Sequence, residues 1–435
     1  MALSTKPYKG ARDFYPEDKR RQKYTFAKWR SVCESFGYEE YDAPILEPLS
    51  IYLAKTGDEI INEQTYNFED RGGREVVIRP EMTPTVSRMV AARRQELVYP
   101  LRWYSIPNLW RYERPQRGRL REHWQLNVDV FGLAGIEAET EIISLADAIF
   151  QAFNAKQNMY EIKLNHRQLV DYLLSVYLGL NDKAKRAVSK LIDRINKMER
   201  PIFISKLDEC LTSKQREDGV TEKLLSILEA KKLNDLPKEA LGQPATKQLR
   251  DLMDNLEKNN VKCIFDGSLM RGFDYYTGII FEVFDTNPDN NRSMLGGGRY
   301  DGLVGLFGVK PVPTVGFGWG DVTLDNFLKG HDLMPHIPPE IDLYVALIGE
   351  VGINAQPVIS RLRGSGINVA ADLSGRKIGD QLKAAAKKNL KFVLIIGEEE
   401  LSSKKFNLKN LESGEEVRAS QDKIIEIIKA KDMKK

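Results

Sequence analysis

The stretch RYERPQRGRLREHWQ, Arg111 to Gln125, holds five arginines in fifteen residues of a chain whose formal net charge is only +3. Arginine's planar fork matches the oxygens of phosphates and carboxylates, so this density marks a place where anions are gripped. Solvated charge at a hairpin tip is the plain alternative. Against it, Arg111 lies on the flanking strand between Trp110 and Tyr112, and a half-buried guanidinium needs an anionic partner. Arg114, Arg117, Arg119 and Arg121 can then close over a polyphosphate or the end of a nucleic acid.

Three further stretches carry residue types suited to chemistry. RGFDYYTG places Arg271 three residues before Asp274, followed by Tyr275 and Tyr276. Adjacent side chains on a strand face opposite ways, so only one of the two tyrosines is expected to line a given pocket. RPEMT sets Glu81 and Thr83 at a strand end, where the carboxylate can bind an amine or serve as the acid of a helix N-terminus. GGGRYDGL, Gly296 to Leu303, puts three glycines before Arg299 and Tyr300. Such a run lets a backbone approach a flat ligand closely or forms a tight hairpin.

Several classes are excluded. No GxGxxG follows a strand and no GxxxxGK[ST] occurs, so the dinucleotide and P-loop readings fail. Cys33, Cys210 and Cys263 form no CxxC pair, and His123, His166, His331 and His336 lack the spacing of a zinc motif. No protein-ligated transition metal is expected. No apolar run approaches the ~18 residues of a membrane span, and MALSTKPYKGARDFYPEDK has no signal-peptide core. A cytoplasmic protein is the expectation. At 435 residues, two or three domains are expected.

The elements that must position these residues can be read from periodicity. Residues 17–36 form an amphipathic helix, with Phe26, Trp29, Val32 or Cys33, and Phe36 at helical spacing and Gly37 as its stop. LRWYSIPNLWRYERP and HWQLNVDVFG alternate apolar and polar residues around the basic turn, the signal of an antiparallel hairpin with a long loop. EAETEIISLADAIFQAF is a helix with acids in its first turn. Residues 168–259 read as a helical insertion. Strand character is expected again through RGFDYYTGIIFEVFD and SMLGGGRYDGL. KGHDLMPHIPPE is a Pro-rich linker, and strand–helix alternation beyond it predicts a separate parallel α/β domain.

Here a resemblance becomes specific. RYERPQRGRLREHWQLNVDVFG resembles motif 2 of the class II aminoacyl-tRNA synthetases, and GYEEYDAPILEP resembles motif 1, their dimer-forming element. RGFDYYTGIIFE and GGGRYDGL resemble the two histidine signatures of the histidyl-tRNA synthetases. The resemblance implies an α+β fold: an antiparallel-sheet catalytic core over residues 1–328 holding the 168–259 insertion, a linker at 329–340 and an anticodon-binding α/β domain at 341–435. It also implies a homodimer with no membrane association, using L-histidine, ATP with Mg2+, and tRNA(His).

Site roles follow from the same resemblance. Arg111 matches the arginine that holds the α-phosphate, and Arg271 the one that bridges the substrate carboxylate and that phosphate. Glu81, Thr83 and Gln125 match receivers of the α-ammonium; Asp129, Tyr275 and Tyr276 match readers of the imidazole. At position 129 the family more often carries glutamate. Glu113 is a candidate contact to ATP and its Mg2+. Gln116, Arg119 and Arg121 lie where the motif 2 loop meets the tRNA acceptor end. Motif 3 departs from the family: Val322 and Thr323 stand where a glutamate and the arginine on the γ-phosphate are usual, and Arg119 is the expected substitute. Two other readings compete. One is a non-catalytic regulatory subunit of ATP phosphoribosyltransferase built on the same fold. The other is a synthetase for glycine, proline or threonine. Both histidine signatures and residues 341–435 speak against the first, and the RGFDYY and GGGRYDGL pair speaks against the second.

Overall fold

The computed structural model describes residues 3–53, 64–192, 194–195, 198–269, 275–290 and 292–432 of the chain. They divide into two compact units, Met1–Asp13 with Lys23–Met334, and Phe14–Gln22 with Pro335–Lys435. The linear reading runs unbroken from 1 to 328; the structure groups the first turns of helix Pro16–Ser35 with the C-terminal residues.

The first unit is organised on one sheet. Its order is Glu39–Glu40, Leu101–Ser105, Glu122–Phe131, Thr314–Gly320, Ser293–Arg299, Ile279–Asp285, Tyr160–His166 and Cys263–Phe265. Asn108–Trp110 also pairs with Glu122–Phe131, closing the hairpin expected around the basic turn. All pairs from Leu101–Ser105 through Tyr160–His166 are antiparallel.

Period-two alternation gives this sheet two unlike faces. On Glu122–Phe131, Leu126, Val128 and Val130 are buried on one side. Helix Glu137–Ala152 covers them with Ile142, Ile149 and Phe150, while Glu137 and Glu139 sit at its positive N-terminal end. Phe150 stacks on Tyr160 at 4.0 Å between ring centres and lies 4.4 Å from Trp319. The alternate residues Gln125, Asn127 and Asp129 therefore face the other way.

Between 168 and 259 the described residues hold helices and no strand. The last of these, Pro244–Lys258, buries Leu249, Leu252 and Leu256 and packs on Glu137–Ala152 and Tyr160–His166, so the insertion shares the main core. Of the strand expected through RGFDYYTGIIFEVFD, residues 271–274 lie outside the described residues, and among the described ones it begins at Ile279. The three consecutive glycines of SMLGGGRYDGL, Gly296 to Gly298, lie within the central strand Ser293–Arg299. That settles the choice posed by the run against a tight hairpin.

In the second unit, Val369–Ala371, Leu343–Leu347 and Phe392–Ile396 are parallel, as the alternation of strands and helices predicts. The sheet is nonetheless mixed. Phe406–Asn410 and Glu416–Ala419 extend it antiparallel as a hairpin, turned through Gly414 at φ +75°. This pair escapes a hydrophobicity reading because its outer strand is largely exposed and charged, as an edge strand must be. Among the described residues no helix is long and apolar enough to cross a membrane.

Candidate active site

The polar face of the sheet opens into a cleft of about 1410 Å³. Its floor is nearly bare backbone. Register sets Gly316 beside Asp129 and Gly318 beside Asn127, then Gly298 beside Gly316 and Gly296 beside Gly318. A Cβ at Gly316 would lie 2.0 Å from Asp129 Oδ1 and 2.7 Å from the Val128 carbonyl; one at Gly318 would lie 2.6 Å from Gln125 Nε2. These glycines make room for the polar side chains lying over them, and for a flat ligand above. Gly316→Ala should therefore displace Asp129 and cost about 1–3 kcal/mol by overpacking. A urea melt reads the cost, and an unchanged melt would show that Asp129 moves aside without strain.

Around this floor the structure brings together Glu81, Thr83, Arg111, Glu113, Gln116, Arg119, Gln125, Asp129, Tyr275 and Tyr276, all lining the cleft. Arg111 follows the end of strand Asn108–Trp110 and continues the ladder through its N–H to the Arg121 carbonyl, 2.8 Å. Its Nε donates to the Pro80 carbonyl at 2.8 Å, which fixes the guanidinium plane. Glu81 is buried in the turn between strand Glu75–Ile78 and helix Thr83–Ala92, with the Tyr275 hydroxyl 3.5 Å from its Oε2. Thr83 opens that helix.

Tyr275 and Tyr276 correct the expectation that only one would face the pocket. They precede strand Ile279–Asp285, so strand alternation does not apply to them. Their rings lie 4.9 Å apart and both line the cleft.

Arg119 and Glu113 form an ion pair at 2.8 Å, the arginine half-exposed and the carboxylate buried. Gln116 and Arg119 exchange backbone hydrogen bonds of 2.9 Å across the turn at the hairpin tip. Arg121 is not among the cleft-lining residues. Its Nε donates to the Glu113 carbonyl at 3.1 Å, its Nη1 to the Tyr8 hydroxyl at 3.0 Å, and its guanidinium lies 3.9 Å from the centre of the Tyr112 ring. That is the environment of a strut under the hairpin. Arg271 and Asp274 lie outside the described residues.

Two groups in the cleft are strongly tuned. Burial pushes the Asp129 carboxyl up to about 7, partly offset by the hydrogen bond it accepts from the Tyr300 hydroxyl. Burial, and then the nearby Arg111, Arg12 and Arg119, push His123 down to about 3, so its ring stays neutral.

Tyr300 is the site residue that the sequence pattern left without a role; its place beside the glycine run was the available signal. Its neighbour Arg299 turns out to be structural. Nε and Nη2 grip Glu139 at 2.6 and 2.7 Å, and Nη1 and Nη2 reach the Leu133 and Gly135 carbonyls. At the motif 3 positions, Val322 and Thr323 line the cleft, with the Thr323 hydroxyl 2.8 Å from the Met294 carbonyl and 2.9 Å from that of Gly320.

Comparison with known proteins agrees with this geometry. The profile described as "Anticodon binding domain" matches residues 342–431. The histidine–tRNA ligase of Leptospira biflexa is 42% identical over 98% of both chains, and that of Thermoplasma volcanium 37% identical over 94% of both. In fold, the crystal structure of histidyl-tRNA synthetase from Nostoc sp. PCC 7120 superposes with a TM-score of 0.80 at 24% identity, covering 99% of this chain and 100% of that one. With the profile described as "Histidyl-tRNA synthetase" matching residues 10–320 as well, the chain belongs to the histidyl-tRNA synthetase family, ligases that form an aminoacyl-tRNA.

Proposed function

We propose that the cleft joins L-histidine to ATP as histidyl-adenylate, releasing pyrophosphate, and then transfers histidine to the terminal ribose of tRNA(His). The observation that carries this reading is the glycine floor with Gln125 and Asp129 over it and Arg111 at its rim. Such a surface takes a flat ring and an anion side by side.

Histidine seats its imidazole between Asp129 and the Tyr275–Tyr276 pair, and its α-ammonium on Glu81, Thr83 and Gln125. Requiring two ring nitrogens rejects phenylalanine strongly, because the site's buried polar groups would be left unpaired. Attack of the histidine carboxylate adds charge to the α-phosphate, and Arg111 stabilises that charge from a preset position. Arg271 bridges the two anions. ATP enters with Mg2+, for which Glu113 is the candidate carboxylate, and Arg119 reaches the triphosphate from the hairpin. Gln116, exposed at the tip, meets the tRNA acceptor end, while Arg121 supports the strands below it. A cytoplasmic homodimer, formed through the 37–48 segment, completes the reading.

ATP–pyrophosphate exchange with a panel of amino acids tests it. Histidine alone should support exchange. Exchange with glycine, proline or threonine instead would mean a different synthetase, and exchange with none would favour the regulatory subunit. The match of residues 342–431 to the anticodon-binding profile supports the ligase over that subunit.

A chain ending after Met334 should keep exchange yet charge tRNA poorly. The cut belongs there and no earlier, because Phe327 and Leu328 are buried in helix Asp321–Gly330 and the first unit runs to Met334. Full charging by this shortened protein would contradict the role given to residues 341–435.

A further inference from the structure

We propose that Arg292 binds the terminal phosphates of ATP, an inference that rests on the ATP reading above and gives the far end of the triphosphate a further cationic anchor. Arg292 stands just ahead of strand Ser293–Arg299, whose glycines form the cleft floor, and it lines the cleft. No motif in the sequence marks it.

Arg292 differs from Arg119 and Arg299 in its partner. Arg119 is offset by Glu113 at 2.8 Å and Arg299 by Glu139 at 2.6 Å. Arg292 Nη2 donates only to the neutral amide oxygen of Gln116, at 3.1 Å, and forms no ion pair with a described carboxylate. A cleft-lining guanidinium held by a neutral acceptor is open to exchange. A phosphate oxygen gives a charge-assisted, bidentate contact roughly twice as strong as the neutral one it replaces.

Its surroundings point the same way. A Cβ built on Gly118 would lie 3.6 Å from Asn326 Nδ2, 3.9 Å from Thr323 Cγ2 and 4.0 Å from Arg292 Cδ, so the hairpin loop, helix Asp321–Gly330 and the approach to strand Ser293–Arg299 meet at this spot. The Thr323 hydroxyl is spent on two carbonyls and has no proton left for a ligand. Asn326 Nδ2 is buried with no hydrogen-bond partner among the described residues. A buried amide donor at this place can add an N–H hydrogen bond to a phosphate oxygen held by Arg292. The hairpin that carries Arg111 at its base thus has Arg292 beside its tip. A triphosphate lying along it, α-phosphate at Arg111, ends at Arg292.

The test is titration calorimetry on the full chain with two probes, an imido-bridged non-hydrolysable ATP analogue and AMP. Arg292→Ala should weaken the analogue by about tenfold or more, the scale of a lost charge-assisted contact, and leave AMP within about twofold. Arg292→Lys, which keeps the charge and loses the fork, should fall between. Wild-type affinity for the analogue in Arg292→Ala would overturn the proposal. So would equal losses for analogue and AMP, which would make Arg292 a shaper of the cleft and not a phosphate ligand. A wild-type protein that binds neither probe and shows no histidine-dependent exchange would sink the ATP reading itself, and this inference with it. That outcome is distinct from a silent Arg292→Ala in an active enzyme.

Discussion

Arg111→Ala should lower the rate of histidine-dependent ATP–pyrophosphate exchange by about 10²–10³-fold, the usual effect of removing one preorganised donor from a developing anion. The fold should survive. Arg111 has no described carboxylate partner, and its one side-chain hydrogen bond is from Nε to the Pro80 carbonyl, 2.8 Å. That contact sets the guanidinium plane before substrate arrives, which is why the effect falls on kcat more than on the KM for ATP. The neighbouring His123 is held neutral and cannot replace the lost charge. Single-turnover adenylate formation followed by rapid quench separates the chemical step from nucleotide binding. A variant with near wild-type turnover would remove Arg111 from the reaction.

Asp129→Asn should act in two opposed directions. Histidine binding should weaken by about 1.5–3 kcal/mol, the worth of a hydrogen bond to a charged acceptor, with the KM for ATP little changed. Stability should rise. The buried Asp129 carboxyl is pushed up from 3.8 to about 7. Between those values the folded protein keeps a proton that the unfolded chain has released. Wild-type stability therefore falls as pH rises through that window and stays lowered above it. Each pKa unit is worth about 1.4 kcal/mol. Asparagine carries no such charge and still offers an oxygen to the Tyr300 hydroxyl. The variant should be more stable than wild type by about 2–4 kcal/mol at pH 8, with a smaller margin at pH 5. Urea melts at the two pH values, without histidine, measure this. An equal margin at both would show that the carboxylate is not destabilised by burial. Together with the histidine KM, the outcome would expose a residue that costs the fold stability and serves recognition.

Much of this molecule was legible in its chain. The hairpin around the basic turn followed from two alternating runs, and in the folded strand that alternation sets Gln125 and Asp129 on one face and Leu126, Val128 and Val130 on the other. The helical character of 168–259 and the break before the C-terminal unit also followed from local pattern. Periodicity reports these features because each depends on neighbours only a few residues away.

What tertiary structure decided is who meets whom across the sheet. Arg299 and Arg292 are both arginines next to glycine-rich strand, and nothing local separates them. One is locked onto Glu139, 160 positions earlier in the chain, and the other faces the cleft with a neutral partner. Tyr300 becomes a site residue only because strand pairing delivers Asp129 to its hydroxyl from 171 positions away. Arg121 looked like its neighbours in the basic run until Tyr8, Tyr112 and the Glu113 carbonyl closed around it. Residue type and local pattern state which charges a chain carries. Which are compensated, and which are left for a ligand, depends on long-range contacts and on burial, and both exist only in the folded protein.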